Sequence, residues 1–208
     1  MAIEPKAETT RRAVLGYGLA GVAAGFATFA MPGAAAALTV DQARALIDKV
    51  TGDVTAVINS GGSEQQMFAK FERIFATYAD VPVIARSALG PAARQASPAQ
   101  MKAFTQAYQG YISRKYGRRF REFIGGRIEV TGAKPLKSYF EVISTAYLQG
   151  EAPFDLRWHV SDKSGRDLFF NLIIEGVNML STERTEIGAM LDRQGGDIDK
   201  LIAVLKTT

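Results

Sequence analysis

The chemistry open to this sequence is bounded first by what it lacks. Its 208 residues include no cysteine and a single histidine. Thiol nucleophiles, disulfides and thiolate metal sites are therefore excluded. His159 lies in a stretch where Phe154, Leu156, Trp158 and Val160 alternate with Asp155, Arg157, His159 and Ser161. Period two marks a half-buried strand, which puts His159 on the polar face beside Asp155 and Arg157. A hydrolase would use His159 and a carboxylate as its acid–base pair, with a serine brought close by the fold. A solvent-exposed strand histidine is the simpler reading, and no catalytic residue is assigned. No histidine pair or carboxylate cluster shows metal-ligand spacing. Gly125-Gly126 and Gly195-Gly196 lack a phosphate-loop pattern and read as helix ends.

The densest charge is the cluster Arg114, Lys115, Arg118, Arg119 and Arg121, with Tyr116 and Phe120 interleaved. Cations at a helix end also suit the negative pole of the helix dipole, so a solvated helix end is one reading. The other is a docking surface for an anionic head group or a protein partner.

The elements that must carry these residues read as helices first and strands later. Thr39 and Gln42 form a capping box ahead of Ala43, Leu46, Ile47, Val50, Val54 and Val57 at helical spacing, and Gly61-Gly62 stops that helix. Gln65 to Tyr78 repeats the pattern with Phe68, Phe71, Ile74, Phe75 and Tyr78. Asp80-Val81-Pro82 breaks it, and Val83 to Leu89 is a short helix. Ser97-Pro98-Ala99-Gln100 opens a long helix with Met101, Phe104, Tyr108, Tyr111 and Ile112 on one face, running to about Phe123.

Strands are expected at Arg127 to Ala133, Ser138 to Leu148, the alternating stretch around Trp158, and the apolar run Leu168 to Ile174. Asp162-Lys163-Ser164-Gly165 pairs the last two as an antiparallel hairpin. Ser181 to Leu191 and Asp197 to Leu205 close the chain as helices. The sum is α+β: N-terminal helices packed on a twisted four-stranded antiparallel sheet, with short C-terminal helices.

At the N-terminus, Arg11-Arg12 precedes the uncharged, Ala- and Gly-rich run Ala13 to Met31, then Pro32-Gly33 and Ala34 to Ala37. Basic, apolar and small-residue regions in that order make residues 1–37 a twin-arginine signal peptide, cut after Ala36 or Ala37. An uncleaved anchor is the alternative. Residues 38–208 are then one extracytoplasmic domain. Removing Lys6, Arg11 and Arg12 against Glu4 and Glu8 takes the net charge from +4 to about +3. That is too little to argue for nucleic acid, from which export also separates the chain.

Several stretches, in order along the mature chain, resemble one family. They are Phe75-Ala76-Thr77-Tyr78-Ala79-Asp80-Val81-Pro82-Val83-Ile84-Ala85-Arg86, then Ser97-Pro98-x-Gln100 leading to Phe104, then Tyr116-x-Arg118-Arg119-Phe120. Arg127 to Gly132, Ile173 to Asn178 and Gly195-Gly196-Asp197-Ile198-Asp199-x-Leu201-Ile202 continue the series. The set resembles the MlaC family of periplasmic phospholipid carriers, also called toluene-tolerance auxiliary proteins.

The resemblance implies a periplasmic monomer with no cofactor and a bound phospholipid, its acyl chains in an apolar pocket between sheet and helices. It implies shuttling between an MlaA-like outer-membrane lipoprotein complex and an MlaD-like component of an inner-membrane ABC transporter, which maintains outer-membrane lipid asymmetry. A hopanoid or other sterol-like lipid is an alternative cargo, since a subgroup of the family is associated with hopanoids. The residues compatible with such a pocket are Phe71, Phe75, Ile84 and Leu89 in the early helices, with Phe104 and Tyr108 in the long one. Val142, Leu156 and Trp158 join them from two strands. Phe170, Leu172 and Ile174 are read as one face of the last strand, and Val177 follows. Arg114, Lys115, Arg118, Arg119 and Arg121 are the docking candidates.

The export route has a direct test. With Arg11 and Arg12 both replaced by lysine, export is expected to fail, as followed by fractionation. Undiminished export would make the pair an ordinary basic region.

Overall fold

The computed structural model describes residues 37–119 and 123–208. The predicted signal peptide lies outside the described residues, apart from Ala37. Three helices come first: α1 (Val40–Ile58), α2 (Glu64–Tyr78) and α3 (Val81–Leu89). A 3-10 turn over Gly90–Arg94 leads to α4 (Pro98–Arg119). Five strands follow, β1 (Arg127–Pro135), β2 (Phe140–Tyr147), β3 (Phe154–Ser161), β4 (Leu168–Ile174) and β5 (Val177–Asn178), and then α5 (Met179–Arg193) and α6 (Ile198–Thr207).

Local chemistry explains most of these boundaries. The hydroxyl of Thr39 accepts from the Gln42 amide while the Gln42 side chain accepts from the Thr39 amide, the expected capping box. Ser63 with Gln66 and Ser97 with Gln100 repeat it at the starts of α2 and α4. α2 ends at Tyr78, just ahead of the expected break at Asp80-Val81-Pro82, and α3 begins two residues earlier than Val83 and so includes Pro82. The proline sits in the first turn of α3, where a missing N–H costs nothing, and Asp80 caps that helix by accepting from the Val83 amide at 3.3 Å. The described part of the long helix, α4, spans Pro98–Arg119, and Phe123 is in 3-10 conformation just before the turn at Ile124-Gly125.

The strands form one antiparallel meander in the order β1-β2-β3-β4-β5. The expected hairpin around Asp162–Gly165 joins β3 to β4. A fifth strand was not expected. It arises because Glu175 (φ 48°) and Gly176 (φ 80°) both take left-handed conformations and fold Val177 back onto Ile174. Two successive positive φ values make the tight two-residue turn of hairpins.

Pairing fixes which side chains share a face. Val142, Trp158 and Leu172 stand in one row across the sheet, and Ser144, Leu156 and Ile174 in the next. This face is turned to the helices. The Trp158 indole N–H donates to the Ser144 hydroxyl at 3.2 Å, which satisfies the two polar groups inside an apolar layer. Against the sheet lie Ala43, Ile47, Val50 and Val54 of α1, and Phe104 and Tyr108 of α4 join the same buried cluster.

The run Leu168 to Ile174 does not present Phe170, Leu172 and Ile174 on one face. β4 carries one extra residue opposite the His159–Val160 step. The resulting bulge sends Phe169 onto Trp158, edge to face at 5.4 Å, and Phe170 onto Tyr139 at 5.3 Å and His159 at 5.7 Å.

Helices and sheet are tied at one more point. The Asp80 amide donates to the Phe169 carbonyl at 2.8 Å, and the Asp80 carboxylate accepts from the Ser164 hydroxyl in the β3–β4 turn. In the same turn Asp162 accepts from the Leu38 amide at 3.0 Å.

The close approach of α2 to α4 is set by Gly117, where a Cβ would fall 2.5 Å from the Phe68 ring. Gly117→Val is expected to lower stability by about 2 kcal/mol. Added Phe68→Ala should recover part of that loss in a double-mutant cycle of thermal unfolding. Strict additivity would show that the two sites do not press on each other.

Candidate functional site

The residues expected to line a lipid pocket divide by burial. Phe71, Ile84, Leu89, Phe104, Tyr108, Val142, Leu156 and Trp158 are buried in one cluster that fills the space between sheet and helices. Phe75, Leu172 and Ile174 pack half-buried around it, and Phe75 meets Phe169 at 6.3 Å. Phe170 is half-buried beside His159, and Val177 is 55% exposed on the short fifth strand. Two open grooves run along either side of α1. One, of about 650 Å³, lies between Asp48, Thr51, Gly52 and Thr55 of α1 and Arg127–Val130 of β1. The other, of about 320 Å³, lies between α1 and α2, with Ala56, Val57 and Ile74 flanked by Asp53, Lys70 and Arg73. Neither groove contains any of the expected lining residues.

The basic cluster is drawn inward more than its sequence implies. Arg114 donates to the Leu205 carbonyl at 2.5 Å and Arg118 to the Thr208 carbonyl at 3.3 Å, so both serve the carboxyl end of α6. Lys115 pairs with Glu183 at 2.7 Å and with Glu186. The side chains of Arg119 and Arg121 fall outside the described residues.

Around Lys115 sits a polar cluster that sequence reasoning missed. Tyr116 donates its hydroxyl to Glu183 at 2.5 Å, and Tyr111 donates to Glu186 at 3.3 Å. The Lys115 ammonium lies over the Tyr111 and Tyr116 rings, at 5.6 and 5.4 Å from their centres. Burial alone would pull Lys115 down, yet the two carboxylates outweigh it and hold its pKa above the ordinary value. Burial, and then Glu183, push Tyr116 far up. Tyr108 is raised for the same two reasons. The Tyr108 hydroxyl and Glu183 Oε2 are buried without a hydrogen-bond partner among the described residues. One sequence signal was present: Glu183 falls on the stripe Leu180, Ile187 and Leu191, so helical periodicity places a carboxylate on the inner face of α5.

His159 is on the polar face, as the alternation requires, but it is not exposed. Its side chain is 12% accessible, enclosed by Tyr139 at 4.6 Å and Phe170. Asn171 uses its Oδ1 to accept from the Leu172 and Leu180 amides, which leaves its Nδ2 facing His159 Nδ1 at 3.4 Å. Nδ1 is therefore the acceptor, and the proton sits on Nε2, 3.7 Å from Glu141 Oε2. Glu141 also faces Lys134 at 3.0 Å and Arg157 at 3.7 Å, and Arg157 pairs with Asp155 at 2.6 Å. Among the described residues His159 thus meets an amide, a carboxylate and two aromatic rings. Among the described residues no group of three or more histidine, aspartate or glutamate side chains is placed to hold a metal, and no helix is long and apolar enough to cross a membrane.

Comparison with known proteins places this geometry. The family model described as "MlaC protein" matches residues 48–207. The fold is similar to a solved structure of a phospholipid-binding protein from Ralstonia solanacearum in complex with a phospholipid. The TM-score is 0.68 at 20% identity, over 79% of this chain and 95% of that one.

Burial lowers the His159 pKa from 6.5, against the opposing pull of Glu141. The unfolded chain therefore takes up this proton at a higher pH than the folded one. Stability tied to His159 is complete above the unfolded value and lost as pH falls toward the folded value. Between about pH 7.5 and about pH 5.5, His159→Gln should lose less stability than the parent in denaturant titrations. Equal losses would contradict the assignment.

Proposed function

Because the chain belongs to the MlaC family, we propose that it is a periplasmic phospholipid carrier that holds acyl chains between the inner face of the sheet and the helices. The observation that carries this reading is the family match over residues 48–207, joined to a fold shared with a phospholipid-binding protein. The lining is drawn from Phe71, Phe75, Ile84, Leu89, Phe104, Tyr108, Val142, Leu156, Trp158, Leu172 and Ile174. Phe170 and Val177 stand at its margins. Side chains fill this space, so acyl chains enter by parting the layers. The driving force is adequate: each buried CH2 contributes about 0.8 kcal/mol, and two ordinary chains roughly 20 kcal/mol, near the ceiling of noncovalent affinity. Chains leaving a bilayer are already dry, so the carrier must match that environment and needs a partner to trigger release.

Residues 1–37 act as the export signal and 38–208 as the carrier in the periplasm. Lipid passes between an MlaA-like outer-membrane complex and an MlaD-like inner-membrane component, in support of outer-membrane lipid asymmetry. Of the basic cluster, Arg114 and Lys115 are held in part-buried contacts, whereas the bond from Arg118 to Thr208 is long and exposed, so docking falls to Arg118, Arg119 and Arg121. Among the described residues the interior brings together no hydrolytic constellation, which supports a binding rather than a catalytic role.

Trp158 is the only tryptophan and is buried in the proposed lining. Phospholipid brominated on its acyl chains should quench the fluorescence of the mature protein, while the unbrominated lipid should not. Equal emission with both would remove Trp158 from the pocket; failure of any labelled phospholipid to bind would remove the carrier reading.

A further inference from the structure

We infer that the seam between α4 and α5 is the portal through which acyl chains reach the interior, and that Glu183, Lys115 and Tyr116 form the latch across it. The inference rests on the carrier reading above. α5 lies close on α3 and β4, whereas it meets α4 chiefly through long side chains. Those side chains are the polar cluster: Lys115 and Tyr116 on Glu183, Lys115 and Tyr111 on Glu186. The cluster grades from water inward. Side-chain exposure is 43% at Glu186, 26% at Lys115 and 4% at Glu183. Immediately inside it are Tyr108, stacked on Phe104 at 5.7 Å, and the fully buried Ile187 of α5.

An apolar seam would resist opening by its whole exposed area. A polar one behaves differently. Closing it strips water from a carboxylate and an ammonium, a cost that their mutual attraction roughly offsets. Opening returns both groups to water, and this offsets the cost of exposing the apolar residues behind them. Glu183 Oε2 and the Tyr108 hydroxyl have no partner in the closed seam, so both gain hydrogen bonds when water enters. The other flank of α4 is tied differently. Gln100 reaches Asp199 at 2.9 Å near the start of α6, and Arg114 and Arg118 reach its end. α4 and α6 are thus fastened at both ends, whereas the α5 side of α4 is tied chiefly through the polar cluster.

The test follows transfer of a phosphatidylethanolamine with one fluorescent acyl chain out of phosphatidylglycerol vesicles. Glu183→Gln keeps the shape and removes the charge, and Tyr116→Phe removes one hydrogen bond. Each should speed lipid uptake and release, roughly tenfold for the charge. Should Glu183→Gln fail to fold by circular dichroism, the milder Tyr116→Phe and the half-exposed Glu186→Gln carry the same expectation. The chain has no cysteine, so a Lys115→Cys/Glu186→Cys pair can be bridged by a cleavable bis-maleimide. Bridging should stop transfer and cleavage restore it, while the same bridge at Gln100→Cys/Asp199→Cys should leave transfer unchanged. Normal transfer through a bridged α4–α5 seam, or unchanged rates in every latch variant, would overturn the portal and leave the carrier standing. A parent protein that takes up no lipid would overturn both.

Discussion

An antiparallel meander with one apolar face has to hide that face, and the rest of this fold follows from how it does so. The rows Val142–Trp158–Leu172 and Ser144–Leu156–Ile174 meet helices that come both before and after the sheet in the chain. Register is unforgiving here, because a one-residue slip would send the whole row to water. The turn at Asp162–Gly165 and the Asp80–Phe169 backbone bond pin β4 against both β3 and α3. The bulge at Phe170 then lets two consecutive phenylalanines be covered on opposite faces. On the proposed reading, the cargo space and the structural core occupy the same place. Filling one competes with packing the other, so loading has to be a rearrangement of layers and not entry into a fixed hole.

That competition gives the buried polar groups a role. Glu183 lies on the apolar stripe of α5, where a leucine would pack without any desolvation cost. Stability alone does not account for a carboxylate there, since a buried ion pair is often no better than an apolar replacement. A seam closed by Lys115, Tyr116 and Glu183 holds two helices together without committing them. The cluster around His159 contrasts with it. There Asn171, Glu141, Tyr139 and Phe170 hold an imidazole neutral and fixed on the outer face.

What could be read from the sequence was local. The capping boxes at Thr39 and Ser97 lie within four residues of chain, and the alternation through Trp158 states its own face. The box at Ser63 with Gln66 is equally local, but the helix stop at Gly61-Gly62 just before it masks the signal. The fifth strand was hidden because glutamate rarely takes the left-handed conformation that Glu175 adopts. The inward turn of Lys115 was hidden for another reason. Its partner Glu183 is 68 residues away along the chain, and no pattern within α4 distinguishes a lysine facing water from one facing a distant carboxylate. Phe170 was assigned to the wrong face because strict alternation cannot register a bulge. The residues that the family resemblance named are mostly buried in one cluster, but the polar contacts between α4 and α5 depend on tertiary pairing.

The central claim is that the interior between sheet and helices holds phospholipid. Native mass spectrometry of the mature protein, gently extracted and not exposed to detergent, tests it most directly. The account predicts a species heavier than the polypeptide by the mass of a phospholipid, which collapses to the bare chain on activation and releases a lipid identifiable by fragmentation. A single species at the polypeptide mass, unchanged after incubation with phospholipid vesicles, would contradict it.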